Sequence, residues 1–202
     1  MSREVVIYGC GGHARSAADV LLASDPDANI TFVDQNAQDQ EQIFGFEVVK
    51  SLELSERHEY FVAIGDNYRR RNIRLSLGDL AVISIVAPSA RIQKDVNIGN
   101  GVFIGHEAYI GPLANLESGA IVNTRAQIDH EVSLGAYSQV GPAAVLGGRV
   151  RIGQQSLVGL GARVIDGLSI GPDVIIGASA TVVDDIEQAG TYVGTPARKI
   201  NG

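Results

Sequence analysis

From Ile92 to Val182 every sixth residue is Ile, Leu or Val, a row of sixteen without exception. Two residues before each member stands a second small or aliphatic side chain, or Ser, from Ala90 and Val96 through Ser138 and Ser156 to Ala180. In ten of the sixteen units Gly follows the row residue directly. A helix repeats its apolar face at about 3.6 residues and a half-buried strand at two, so a strict six predicts a short strand and a tight corner per unit. The row points inward, and the Gly after it is expected to tolerate the backbone that the corner needs. Three units close a triangular coil, so the sixteen units make about five coils stacked as a parallel β-helix. One coil cannot bury its own row, so each packs on its neighbours.

Residues 1–87 follow a different pattern. Glu4 to Tyr8 reads as a buried strand, followed by the loop Gly9-Cys10-Gly11-Gly12-His13-Ala14-Arg15 and an apolar-periodic helix from Gly12 to about Ala23. Ile30 to Val33 reads as a second strand ending at Asp34, and Tyr60 to Ile64 as another that leads through Gly65-Asp66-Asn67 into a helix carrying Arg69, Arg70, Arg71 and Arg74. Ala81 to Val86 reads as a last short strand, and Pro88 marks the passage into the repeats. Alternating strands and helices with short connections predict an α/β domain, a small parallel sheet with helices on its faces, over 1–87. The β-helix and a C-terminal tail occupy 88–202.

The loop after the first strand fits a dinucleotide-type fingerprint, with Gly9, Gly11 and Ala14 at its three small positions. Small residues there let the backbone approach a diphosphate at a helix N-terminus, where free N–H groups and the helix dipole favour negative charge. Asp34, with Gln35 beside it, is placed to hold a ribose or base, and Gly12, His13 and Arg15 are placed to meet phosphate. Asn67 and Arg70, at the C-terminal end of a further strand, join the same group, whereas Arg69 and Arg74 read as a solvated helix face. A domain of this size supplies one Rossmann-like mononucleotide half and no second half for a nicotinamide, so a nucleotide-sugar fits better than NAD.

A net charge of -7 with a pI near 5.0 argues against nucleic-acid binding. One cysteine, Cys10, leaves no internal disulfide framework, and the four His with that Cys form no metal-ligand spacing. No apolar run reaches membrane-spanning length and no cleavable leader pattern opens the chain, so a cytoplasmic protein without membrane insertion is expected.

Chemistry on the repeats narrows to two His-Glu pairs, His106-Glu107 and His130-Glu131, twenty-four residues apart and therefore on different edges of an eighteen-residue coil. One coil above His130 is Gly148 and one below is Pro112; above His106 stands Thr124. The missing side chain at Gly148 leaves a slot over the His130 imidazole and bares an N–H, whereas Thr124 closes the equivalent slot, so His106-Glu107 is expected to be structural.

The stretch Val122-Asn123-Thr124-Arg125-Ala126-Gln127-Ile128-Asp129-His130-Glu131 resembles the active-site segment of hexapeptide-repeat acyltransferases acting on sugar nucleotides, the group of the sialic-acid O-acetyltransferase-like proteins and the UDP-4-amino-sugar N-acetyltransferases. The opening loop, the segment Phe61 to Asn67 and the ending Val193-Gly194-Thr195-Pro196-Ala197-Arg198 are similar to the same family. The resemblance implies a left-handed β-helix, a homotrimer with active sites between subunits, and acetyl-CoA as donor. It also implies that His130 is a general base oriented by Glu131, and that acetyl-CoA lies near Gly148, Leu160, Gly161 and Ala178 with Arg198, or Lys199, at its phosphates. Independently, an imidazole can accept a proton at neutral pH, a carboxylate partner raises its basicity, and a thioester needs no further nucleophile once aligned. Many members carry a second His where this chain has Gln139, which can position but cannot titrate. The expected function is acetyl-CoA-dependent N-acetylation of a nucleotide-linked amino sugar in surface-polysaccharide or glycan biosynthesis. O-acetylation of a sugar or sialic acid, a serine-acetyltransferase-like or NAD-linked enzyme, and a non-catalytic nucleotide-sensing β-helix are the alternatives.

Overall fold

The structure, a computed structural model, describes residues 3–200. In its first part, β1 (Glu4–Tyr8), β2 (Asn29–Val33), β3 (Gln42–Ile43), β4 (Phe46–Val49) and β5 (Glu59–Val62) form one sheet in the order β3-β4-β2-β1-β5. All neighbours pair parallel except β3 and β4. That hairpin, absent from the sequence reading, turns on Phe44 and Gly45, both at positive φ (54° and 85°), as a two-residue hairpin loop requires.

Helix α1 (Gly12–Ser24) buries Ala14, Ala17, Ala18, Val20 and Leu21 on one side, and the Asp25-Pro26 pair ends it. Helix α2 (Asn67–Ser76) starts at Asp66, whose carboxylate accepts the Arg69 N–H at 2.8 Å. One face of the sheet packs on α1 and on the solenoid residues Phe103 and Ile121; the other packs on Ile73 and Leu77.

The repeats form a parallel β-helix of three sheets with eight, six and five strands; up to Val182 each strand pairs with the one eighteen residues away, as Ile110 with Ile128 and Ile128 with Leu146. The C-terminal strands Gly190–Val193 and Arg198–Ile200 extend the eight-stranded sheet, the last of them antiparallel. The row begins one unit earlier than the sequence reading placed it. Only Val82 bridges to Tyr60, while β6 (Ile85–Val86) already pairs with Phe103–Ile104 inside the eight-stranded sheet. At the lower end Ile92 remains 39% exposed; at the upper end Ile186 and Ala197 close the core.

The role of the repeated Gly differs from expectation. Positive φ recurs at every sixth residue from Asp95 to Ser179, but three places after the row, and Glu107, Arg125, Glu131, Tyr137 and Arg149 are among the non-glycine residues that hold it. The Gly directly after the row has no positive φ. Proximity demands it instead: a β-carbon on Gly105 or Gly147 would lie 2.7 Å from the backbone N of Thr124 or Asp166 in the next coil.

Candidate active site

The three sheets meet at three edges. His130 lies on the edge between the six-stranded sheet, through Gln127–Ile128, and the five-stranded sheet, through Ser133–Leu134. Its corner is fixed from both sides, because the Glu131 N–H donates to Pro112 O at 2.9 Å below and the Arg149 N–H donates to His130 O at 2.8 Å above. Asp129 accepts the His130 N–H at 2.7 Å. Glu131, with φ 58°, turns its carboxylate back so that Oε1 lies 3.0 Å from His130 Nδ1. With the Nδ1 proton donated there, Nε2 is an acceptor, and it has no protein partner among the described residues. It faces Gly148: a β-carbon on Gly148 would lie 2.5 Å from His130 Cε1. No acceptor among the described residues takes the Gly148 N–H. An oriented base and a bared N–H donor therefore adjoin on one edge.

His106 is engaged differently. Its Nε2 lies 3.1 Å from Asp19 of α1 and its Nδ1 3.0 Å from Ser89 Oγ, while Glu107 pairs with Arg125 at 2.7 Å. It ties the domain to the β-helix.

The α/β domain covers the eight-stranded face and its two flanking edges, through Phe103, Ile121, His106 and the contacts of α2. A cavity of about 390 Å³ opens at the C-terminal ends of β1, β2 and β5, lined in part by Gly9, Asp34, Gln35, Lys50, Arg69 and Asn72. Ligands bind at this place in open α/β sheets. Asp34 braces it, accepting the N–H of Cys10 at 3.2 Å and of Asn36 at 3.0 Å. Burial raises its carboxyl, but these donors prevail and hold it below the ordinary range. Gly9 needs its positive φ of 111° and its closeness to Ala63 O, 2.9 Å from a β-carbon placed there. Gly11 and Gly12 meet nothing within 4 Å, so the N-terminus of α1 is open to an approaching group.

Other expected residues lie elsewhere. Arg70, 1% exposed, donates to Gly119 O (2.9 Å), Ile64 O (2.9 Å), Gly65 O (3.3 Å), Asn67 Oδ1 (2.7 Å) and Tyr137 O (2.8 Å). All five guanidinium donors are used, so it staples α2 to the β-helix and leaves no N–H for phosphate. Burial lowers its pKa to about 10, against the opposing charge of Asp66, and it stays protonated at neutral pH. Asn67 also faces the β-helix, donating to Gln155 O at 2.9 Å. Arg69, read from sequence as a solvated position, lines the cavity.

Arg15 folds onto its own loop, donating to Cys10 O at 2.5 Å. The His13 ring stands edge-on to Phe103 with centroids 4.9 Å apart, and its buried Nε2 has no partner. Burial first, then the charge of Arg70, lowers its pKa to about 4.

The expected acetyl-CoA residues divide. Gly148 shares the edge of His130, whereas Leu160, Gly161 and Ala178 lie on the edge between the eight- and six-stranded sheets. Arg198 stands 3.7 Å from Asp184 at the upper end, and Gln139 points outward, half-buried, on the eight-stranded sheet. No helix is long and apolar enough to cross a membrane, and no group of metal-ligating side chains occurs among the described residues.

Comparison with known proteins gives a consistent picture. Residues 4–77 match the family described as the PglD N-terminal domain. An uncharacterized protein of Acanthamoeba polyphaga mimivirus is 31% identical over 114 residues, which are 54% of this chain; the chain spans only 23% of that relative's length. The acetyltransferase domain of PglB from Neisseria gonorrhoeae, solved alone and in complex with acetyl coenzyme A, superposes with a TM-score of 0.93 at 31% identity. The structure without ligand aligns over 98% of this chain and all of that one. PerB from Caulobacter crescentus, in complex with CoA and GDP-perosamine, gives a TM-score of 0.87 at 34% identity over 98% of this chain and 97% of its own. With that likeness running through both parts of the chain, and with the His130 edge intact, the chain belongs to the hexapeptide-repeat acyltransferases that act on sugar nucleotides.

Proposed function

We propose that the protein transfers acetyl from acetyl-CoA to the amine of a nucleotide-linked amino sugar. The observation that carries this reading is the His130 edge: Glu131 on Nδ1 at 3.0 Å, Nε2 unpartnered, and Gly148 against the ring with its N–H unused. His130 Nε2 takes the proton from the attacking nitrogen while the Gly148 N–H donates to the thioester oxygen as it gains charge. The new C–N bond forms, the C–S bond breaks, and the proton returns from His130 to the leaving thiolate. Glu131 keeps the imidazole in the accepting tautomer and offsets its positive charge during the transfer.

The nucleotide fits the cavity at Asp34, Gln35 and Arg69, with its diphosphate toward the open N-terminus of α1 at Gly11 and Gly12. In one chain that cavity belongs to the domain on the eight-stranded face, and the His130 edge is the opposite one. A second copy therefore completes the site: one chain brings His130 and Gly148, its neighbour the nucleotide and the Leu160, Gly161 and Ala178 edge. A homotrimer with one site per interface satisfies this for every chain. Gln139, on the nucleotide-bearing face, positions the acceptor, and Arg198 meets the CoA phosphates. A cytoplasmic role in glycan or surface-polysaccharide assembly accords with these substrates.

The test is free-thiol release from acetyl-CoA with a panel of UDP-, GDP-, dTDP- and CMP-linked sugars that includes 4-amino sugars. His130→Ala should lower kcat by roughly 10²- to 10⁴-fold, with acetyl-CoA binding nearly intact. Equal turnover by wild type and variant would refute the assignment, and turnover of hydroxyl acceptors alone would make the enzyme an O-acetyltransferase.

A further inference from the structure

The edge that carries His130 continues upward with a charged pair that this mechanism has not used. Asp166 occupies over Gly148 the place that Gly148 occupies over His130: the Gly167 N–H donates to Gly148 O at 2.8 Å, as the Arg149 N–H donates to His130 O at 2.8 Å. Arg149, next in sequence to Gly148, places Nη2 at 2.6 and 3.0 Å from the two Asp166 oxygens. We propose that Arg149 is a positioning residue of the acyl-transfer edge, which compensates Asp166 so that the edge is electrically neutral where the thioester oxygen gains charge. The proposal rests on the acetyl-transfer reading above.

The physical reason is proximity. Adjacent coils are about 4.8 Å apart, so the Asp166 carboxylate begins one coil from the Gly148 N–H. An uncompensated negative charge there would oppose a second negative charge forming on the substrate oxygen, at a separation where charges interact appreciably near a protein surface. Charge on this edge is set by few groups. Glu131 bonds the His130 imidazole and Asp129 its backbone N–H, Arg149 and Asp166 lie above, and Pro112 and Leu113 directly below carry no charge. One coil further up Asp184 pairs with Arg198 and Asp185 accepts the Ser169 N–H, and two coils below His130 stand Lys94 and Asp95. The edge thus holds one acid bonded to the imidazole, one bonded to the backbone N–H beside it, and one compensated acid beyond the oxygen site. Without Arg149 the second region becomes acidic as well, which disfavours the oxyanion and retains the proton on His130.

A structural ion pair and a charge-setting pair make different predictions. If the pair only ties two coils together, Arg149→Ala, Asp166→Asn and the double variant lose the same interaction and behave alike. If it sets charge, the single variants act in opposite directions. With acetyl-CoA and an amino-sugar nucleotide turned over by the wild type, Arg149→Ala should lower kcat about tenfold and move the acid limb of the kcat/KM profile to higher pH. Asp166→Asn should hold kcat within about threefold and move that limb to lower pH, and the double variant should return near the wild-type rate. Arg149→Lys, which keeps the charge without the fork, should retain most of the rate. Equal losses and unshifted limbs in all variants, at matching thermal stability, would overturn the proposal while leaving the His130 assignment standing. A silent wild type would overturn the acetyl-transfer reading and this proposal with it.

Discussion

Arg70 separates two roles that its position in the sequence does not distinguish. As a phosphate ligand its loss would be felt in substrate binding; as a staple it would be felt in stability. Arg70→Lys keeps the positive charge but replaces five fixed donors with at most three on a flexible stem. Five acceptors now receive a hydrogen bond each, from Gly65 in the strand-to-helix loop to Gly119 and Tyr137 on the β-helix. At least two would be left without their donor, in a place where Arg70 itself is 1% exposed. A buried acceptor without its partner costs about 1–3 kcal/mol, so the substitution should destabilise by roughly 2–5 kcal/mol. For a chain of this size that lowers the first thermal transition by about 5–15 °C. Circular dichroism melting reads this directly, and the KM for the nucleotide-sugar, measured well below the transition, should change less than about threefold because Arg70 has no N–H free for a phosphate. A melting temperature within about 2 °C of wild type together with a tenfold higher KM would refute the staple and return Arg70 to the ligand site.

Gly148→Ala would place a β-carbon 2.5 Å from His130 Cε1, so the imidazole must leave its position. Turnover should fall by roughly 10²-fold, and a rate within about twofold of wild type would show that the base does not work beneath Gly148. His13 makes stability depend on pH. Its folded pKa of about 4 lies below the ordinary 6.5, so the unfolded chain binds a proton that the folded chain refuses as pH falls from 6.5 toward 4. The resulting loss, absent above about pH 6.5, approaches about 3 kcal/mol below pH 4. His13→Asn should remove this part of the acid dependence, and melting profiles of variant and wild type that stay parallel between pH 7 and 4 would contradict it.

Period and stacking explain which parts were legible in the sequence. A six-residue row states which residues point inward, and steps of eighteen state which residues stack, so His130, its neighbour Glu131 and the overlying Gly148 could be brought together without coordinates. The same arithmetic holds the signal that was missed. Gly148 is eighteen residues from His130, but Leu160 is thirty away, which is no multiple of the coil, so the expected acetyl-CoA residues had to fall on two edges. Periodicity does not report distance between coils. For that reason the pattern alone suggests a corner role for the Gly after the row, whereas the positive φ falls three positions on and the Gly answers to a backbone 2.7 Å from the place of its missing β-carbon at Gly147. Nor does periodicity orient a helix with almost no apolar face. In the run Arg69-Arg70-Arg71, adjacent residues differ by about 100° around the axis, and tertiary packing alone turns Arg70 into the interface and Arg69 toward the cavity. The short β3–β4 hairpin escapes for a related reason, since strands of two and four residues carry too little alternation to be seen. Stacking thus fixed the His130 edge, whereas the cavity belongs to an irregular domain whose polar residues are placed by contacts across the chain. His130 and the overlying Gly148 were accordingly legible as a pair, and the cavity beside Asp34 only as a region.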